Sequence, residues 1–216
     1  MSRMLDFDVN EWLEVGRVEI VSARDPVSLQ ASGARRASLK ADLGAAVAAA
    51  TTGVFLGDVE VTIGWYVSAE VRYGTHMIAD IDNIVKPLLD AVTGPDGVMI
   101  DDNQVQSLKI NWESPHNSSV KFRLVLEAIM PGEYLSREGL FFVEFSPACC
   151  FPVLLVEESD LFVRHAVRYL SRVFETHQWL VDHDASSMAR RILPIQRFFP
   201  RSRLGRYIVR PSSDFL

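Results

Sequence analysis

Polar and apolar positions alternate cleanly from Asp58 to Ser68. Val59, Val61, Ile63, Trp65 and Val67 point one way, and Glu60, Thr62, Gly64, Tyr66 and Ser68 the other. A period of two predicts a half-buried strand. Gly16 to Ala23 alternates in the same way, and Val105–Trp112 and Val120–Ile129 read as two further strands. Between them, Ala34 to Thr51 is alanine-rich without an internal proline and favours helix. Asp82 to Val92 is a second helical stretch, Val71 to Ala79 a loop, and Thr93-Gly-Pro-Asp-Gly97 has turn chemistry. The order β-α-β-α-β-β predicts an α+β fold, a sheet with helices packed on it.

The pattern changes near Met130-Pro131-Gly132. Beyond it every positive side chain is Arg. Leu140–Phe145 and Val153–Val156 suggest short strands. Ser159 is placed to cap a helix in which Phe162, Ala166, Leu170 and Val173 recur at helical spacing. Met188–Leu193 suggests a second helix. These features divide the chain into a domain over 1–130 and an Arg-rich α/β extension over 131–216.

The chain has 216 residues, of which 48% are hydrophobic and 23% charged, the balance of a globular protein. The acidic start, Met1 to Glu14, does not read as a signal peptide. The longest apolar run, Leu140 to Val156, is broken by Glu144, Pro147 and Pro152, so no membrane span is expected. Cys149 and Cys150 are adjacent, too close to bridge without strain and too few for a zinc site. A reduced, cytoplasmic protein is expected. The net charge of -6 argues against a simple electrostatic nucleic-acid binder. It is unevenly spread, with 18 acidic against 11 basic residues in 1–130 and 10 against 11 in 131–216.

The chemistry concentrates in Ala79-Asp-Ile-Asp-Asn-Ile-Val-Lys-Pro-Leu-Leu-Asp90 and Met99-Ile-Asp-Asp-Asn-Gln-Val105. Asp80 and Asp82 share one side of an extended backbone. Asp82, Lys86 and Asp90 then fall on one helical stripe. The turn returns the chain to Asp101 and Asp102. Carboxylates brought together repel unless a cation neutralises them, and hard divalent cations prefer carboxylate oxygen. Together with a lysine, such a cluster suits metal-assisted phosphodiester hydrolysis. Taken singly, each feature also has a plain structural use: a helix cap, a turn before a strand, a surface ion pair. An EF-hand is excluded, because the sixth position counted from Asp80 is Val85 rather than Gly.

The joint pattern, Asp80-x-Asp82-Asn83-x-x-Lys86-x-x-x-Asp90-Ala91 followed by Asp101-Asp102-x-Gln104-Val105, resembles the RusA family of Holliday-junction resolvases. The segment Pro26 to Gly33 with Arg35 and Arg36 is similar to the loop after that family's first strand. The resemblance covers roughly residues 17–129. It implies a homodimeric, Mg²⁺-dependent endonuclease, with Mn²⁺ as a substitute, that cuts branched DNA. It implies Asp80, Asp82, Lys86 and Asp102 as catalytic residues and Asp80, Asp82, Asp101 and Asp102 as the metal cluster, leaving open which of the last two faces the metal. Asn83 is expected to order the helix start.

The family's loop before the first Asp is rich in Arg. Here it offers Arg72 and His76 alone. Arg35, Arg36, Arg72 and His76 are the DNA-contact candidates of the first domain. In the extension, Arg164, Arg168 and Arg172 line one helix face, and Arg alternates with aromatics from Arg197 to Arg210. That tail suits either nucleic-acid contact or packing onto the core. His165, His177 and His183 form no metal set. Trp65, Trp112 and Trp179 read as packing residues, and Trp12 as a pin for the N-terminal arm. The alternatives to a resolvase are a non-catalytic junction-binding module and a metal-dependent hydrolase of another nucleic acid.

Overall fold

The computed structural model describes residues 6–74, 79–114, 119–154, 160–192 and 198–216. Among them the fold is mixed α+β. The chain divides into two compact units, Met1–Ser136 and Arg137–Leu216.

In the first unit the elements run β1 (Phe7–Trp12), β2 (Arg17–Ser22), α1 (Gly33–Ala50), β3 (Gly53–Phe55), β4 (Val59–Tyr66), α2 (Ala69–Gly74), α3 (Val85–Ala91), β5 (Val105–Glu113), β6 (Phe122–Ala128) and β7 (Tyr134–Ser136). Five strands form one sheet in the order β1-β2-β6-β4-β5. All pairs are antiparallel except β4 with β5. The alternation in β4 works as expected. Val59, Val61, Ile63 and Trp65 join Val18, Ile20, Leu124 and Leu126 in the core, under Leu39, Leu43 and Val47 of α1 and Leu88 and Leu89 of α3. The three α1 residues sit at i, i+4 and i+8, one face of a helix. Ser32 caps it by accepting a hydrogen bond from the Arg35 amide, and Thr51 ends it in extended conformation. The other face of the sheet carries an ion ladder. Arg17 reaches Glu127 at 2.7 Å and Glu19 at 3.0 Å, and Arg123 reaches Glu19 at 2.8 Å.

The structure departs from the sequence reading in four places here. The acidic N-terminal segment forms β1, because Phe7 buries on the core face while Asp6, Asp8 and Asn10 stay exposed. Trp12, at its end, is exposed with Arg17 stacked over it rather than pinned. Within the expected loop 71–79, Ala69–Gly74 is helical; His76 lies outside the described residues. The helix expected over 82–92 begins as a 3-10 turn, Ile81–Ile84, before α3.

A small second sheet pairs β3 with β7. The composition shift at 130–132 therefore lies inside the first unit. Glu11 of β1 ties the pairing down: its carboxylate accepts from the Thr52 and Gly53 amides at 2.9 and 2.8 Å and from the Tyr134 hydroxyl at 2.6 Å. Tyr134 lies so close over β3 that a Cβ on Gly53 would sit 2.5 Å from Tyr134 Cζ, so only glycine fits.

The second unit contains β8 (Leu140–Ser146), β9 (Cys149–Leu154), α4 (Asp160–Asp182), α5 (Ser186–Ile192) and β10 (Val209–Pro211). The sheet order is β10-β8-β9. Its core is Phe141, Val143, Val163, Val167 and Phe215. The buried stripe of α4 is thus Val163, Val167 and Leu170: Leu170 is buried as expected, Val163 and Val167 take the places expected of Phe162 and Ala166, and Phe162 is 72% exposed. Trp179 is exposed too and stacks on His183. Ser159 lies outside the described residues, as does Arg197. The aromatic tail is largely packing: Phe199 exchanges backbone hydrogen bonds with Cys150, Leu204 and Phe215 are buried, and Arg210 lies over the rings of Phe141 and Phe215.

Candidate active site

Lys86 stands in the first turn of α3, where the following Pro87 costs no interior helix bond. Its ammonium donates to Asp102 Oδ2 at 2.7 Å and also to Asp90 Oδ1. The i, i+4 spacing brings Asp90 to it, and the turn after α3 brings Asp102. Burial pushes the Lys86 pKa down, but the hydrogen bonds and charges of Asp102 and Asp90 outweigh it, so the net shift is upward from 10.5. Lys86 is therefore a fixed cation at neutral pH. Asp82 shares the helical stripe by spacing, but Lys86 turns to Asp90 and Asp102 instead.

Asp101 and Asp102, adjacent in sequence, have different surroundings. Asp101 is buried and caps the 3-10 turn Asp102–Gln104, accepting from the Asn103 amide at 3.0 Å. Asp102 is partly exposed and faces Lys86. The turn is locked by Gln104, which is fully buried. Its Oε1 accepts from the Ile100 and Asp101 amides at 2.7 and 3.0 Å, and its Nε2 donates to the Phe55 and Gly57 carbonyls at 2.7 and 2.8 Å. One side chain thus satisfies four buried backbone groups and fastens the acidic turn to β3. The tight return before it needs Gly97, where a Cβ would lie 2.2 Å from the Val92 carbonyl oxygen. Sequence reasoning placed Gln104 in the motif without a role. A buried amide cannot be told from an exposed one without the fold.

Asp80 and Asp82 are exposed on the segment leading into α3. Asp80 precedes the 3-10 turn with its backbone oxygen accepting from the Asn83 amide at 3.0 Å, and the Asn83 carbonyl accepts from the Leu29 amide at 2.7 Å. Both bonds are made by the Asn83 main chain; the first closes the 3-10 turn and the second holds the loop after β2 against the site. That contact places the start of α1 beside α3. A cavity of about 190 Å³ between them is lined by Arg36, Lys40, Pro87 and Asp90, among others. Lys40, an addition to the sequence candidates, is brought there by the helical spacing from Arg36. Arg35 lines a different cavity, with Arg24 and Ser38. Arg72 lies over the rings of Tyr73 and Trp112, 5.0 and 5.1 Å from their centroids. Arg164, Arg168 and Arg172 are exposed on α4 in the second unit.

The donor chemistry of this segment, carboxylates only, suits a hard divalent cation. Among the described residues, however, no three His, Cys, Asp or Glu side chains are gathered closely enough to hold a metal. One reason is visible: a carboxylate oxygen of Asp102 is turned to Lys86.

Residues 33–124 match the family model described as endodeoxyribonuclease RusA. The match begins at the first residue of α1 and ends inside β6, enclosing Lys86 and all five aspartates of the two motif segments. The matched stretch, 92 of the 216 residues, is thus similar to a DNA-endonuclease domain. Over that stretch the chain is similar to the RusA endodeoxyribonuclease family. No curated protein matches the chain. Among the described residues no helix is long and apolar enough to cross a membrane.

Proposed function

We propose that the protein is a Mg²⁺-dependent endonuclease that resolves four-way DNA junctions as a homodimer in the cytoplasm. The observation that carries this reading is the Lys86 ammonium held between Asp90 and Asp102 within the segment matching a DNA-endonuclease family.

Asp80, Asp82 and Asp102 would hold the cation, with Asp101 shaping the turn that presents Asp102. When bound, Mg²⁺ supplies positive charge to the phosphoryl oxygens and acidifies a bound water. The chain's own residues do the rest. Lys86 is protonated, and its ammonium would stabilise negative charge that builds on the phosphorus oxygens or the departing 3′ oxygen. Asp90 keeps the ammonium in place when Asp102 turns to the cation. Arg36 and Lys40, across the cavity from Asp90, offer positive charge to the flanking backbone. Arg35 and Arg72, with His76, are further contacts in the first unit. Arg164, Arg168 and Arg172 would grip DNA from the second.

A labelled four-way junction and a matched linear duplex, incubated with Mg²⁺ and with EDTA, test the reading. Paired symmetric nicks on the junction alone, lost in EDTA, are expected. Asp82→Asn should abolish cleavage and keep junction binding, because it removes one metal ligand and one negative charge. Cleavage by that variant at the wild-type rate would remove Asp82 from the mechanism. The lack of a ready metal trio among the described residues favours a second reading, a junction-binding module without turnover. A clear binding shift with no nicks at any Mg²⁺ or Mn²⁺ concentration would establish it.

A further inference from the structure

The parallel pairing of β4 with β5 sets Trp65 beside Trp112 in register, on the same face of the sheet. Their rings stack with centroids 4.6 Å apart and planes 24° from parallel. Trp65 is buried and Trp112 half-buried, so the inner ring is fixed by the core and fixes the outer one. The Arg72 guanidinium lies over Trp112, and also over the ring of Tyr73. Tyr73 is the outermost member and is 76% exposed. A cation and three rings are therefore assembled at the ends of β4 and β5, with Arg72 and Tyr73 on the chain segment that leads to Asp80.

Two features of this assembly are unlike ordinary surface packing. The Arg72 guanidinium spends its planar faces on the rings but makes no hydrogen bond or ion pair with any described residue. Stacking leaves the in-plane N–H fork of a guanidinium open to meet a phosphate. Tyr73 shows most of a large ring to solvent, whereas Trp112 is half-buried and Trp65 buried. A paired base in duplex DNA has both faces covered by its neighbours, whereas an unpaired base at a branch or in a single strand offers an open face. Aromatic rings beside a guanidinium suit such a base together with its backbone phosphate.

We propose that Tyr73, Arg72 and Trp112 form a stacking platform for one unpaired nucleobase, with Tyr73 covering the base and Arg72 taking its flanking phosphate. This rests on the reading of the protein as a binder of branched DNA and adds what the site takes from the branch point.

The test uses the full-length protein in EDTA, so that no cleavage is required. The probe is 2-aminopurine, placed unpaired in a single-stranded oligonucleotide and at the branch point of a four-way junction. Wild type should change the probe's fluorescence on binding. Tyr73→Ala should abolish the change and weaken binding about tenfold. Tyr73→Phe should retain both, and Arg72→Lys should weaken binding because an ammonium lacks the flat fork. Unchanged melting temperatures would show that the variants fold. The proposal is overturned if Tyr73→Ala binds and perturbs the probe as wild type does, or if wild type leaves the probe unperturbed in both DNAs. A Tyr73-dependent signal from a protein that never nicks junctions would sink the nuclease reading and leave the platform standing. Normal nicking with no Tyr73 dependence would do the reverse.

Discussion

At the scale of single residues, the site depends on two side chains that the sequence treats alike but the fold does not. Lys86 was legible: its spacing from Asp90 predicts a contact, and the contact is there. Its tie to Asp102 was not, because it spans a turn whose closure depends on Gly97 and Gln104. Gln104 makes four hydrogen bonds to buried backbone groups. Gln104→Leu keeps the volume and orphans all four. With each buried unsatisfied group costing about 1–3 kcal/mol, partly relieved by local relaxation, the variant should lose on the order of 3 kcal/mol or more. Urea denaturation measures the loss, and cleavage should fall with it even where the protein remains folded, because Asp102 is no longer held to Lys86. A stability within about 0.5 kcal/mol of wild type would show that the turn closes without this clamp. Lys86 has a pH signature of its own. Its pKa is raised in the folded state, so its ion pairs stabilise the fold fully below 10.5 and are lost as pH rises through the higher folded value. A cleavage profile that falls between about pH 6 and 9 would thus have to come from another group.

At the scale of elements, alternation located β2 and β4 because the residues of one face are buried along their length; β5, which has only partly buried positions, and β6, which buries three residues in a row, were legible as apolar stretches. Alternation was blind to β1 and β3. β1 is an edge strand whose polar residues outnumber its buried ones, and β3 is three residues long and buried throughout. In α4 the period was right, and Leu170 is buried as expected, but over the first two turns the buried positions are one residue on. Phe162 is the larger apolar residue, but the sheet beneath accepts Val163 and Val167. Helical periodicity gives the spacing of a stripe; which of two neighbouring stripes is buried depends on the partner. The short elements are joined by Glu11. Burial pushes its pKa up, but hydrogen bonds from Tyr134, Thr52 and Gly53 outweigh this and hold it below 4.5. A depressed carboxylate stabilises the fold above its unfolded pKa and loses that contribution as pH falls through the folded one. Stability should therefore drop below about pH 4.5, and Glu11→Gln should flatten part of that drop. Glu19, held low by Arg123 against burial, contributes in the same direction, so the flattening should be partial. Thermal melts of both proteins between about pH 3 and 7 give the comparison. Parallel profiles would remove Glu11 as the source.

At the scale of the whole molecule, composition and packing divide the chain at different places. Arginine replaces lysine after residue 130, yet β7 belongs to the first unit. The reason is Tyr134, 2% exposed, packed against Phe55 with ring centroids 4.3 Å apart and planes tilted by 41°, and bonded to Glu11. Charge balance reports what a segment meets in solvent and says nothing of a single buried ring. The same limit applies to the tail. Its arginines suggest a detachable DNA grip, but deleting 187–216 would remove Phe199, Leu204 and Phe215 from the second unit's interior and unfold that unit. Alanine at the exposed Arg164, Arg168 and Arg172 is the cleaner change. If these side chains neutralise phosphates, the slope of log affinity against log salt should become shallower by about 0.9 for each arginine replaced. The boundary itself is testable with two fragments. Residues 1–136 keep Tyr134 and the β3–β7 pairing and should unfold in one cooperative transition. Residues 1–130 leave the Glu11 carboxylate, the Phe55 ring and the space over Gly53 without their partner. Losing a buried aromatic costs about 3–5 kcal/mol, a large fraction of the stability of an ordinary domain. The shorter fragment should melt well below the longer one, or fail to fold. Equal melting temperatures would mean that the acidic turn is held by Gln104 alone and that β7 is dispensable to the unit that carries the site.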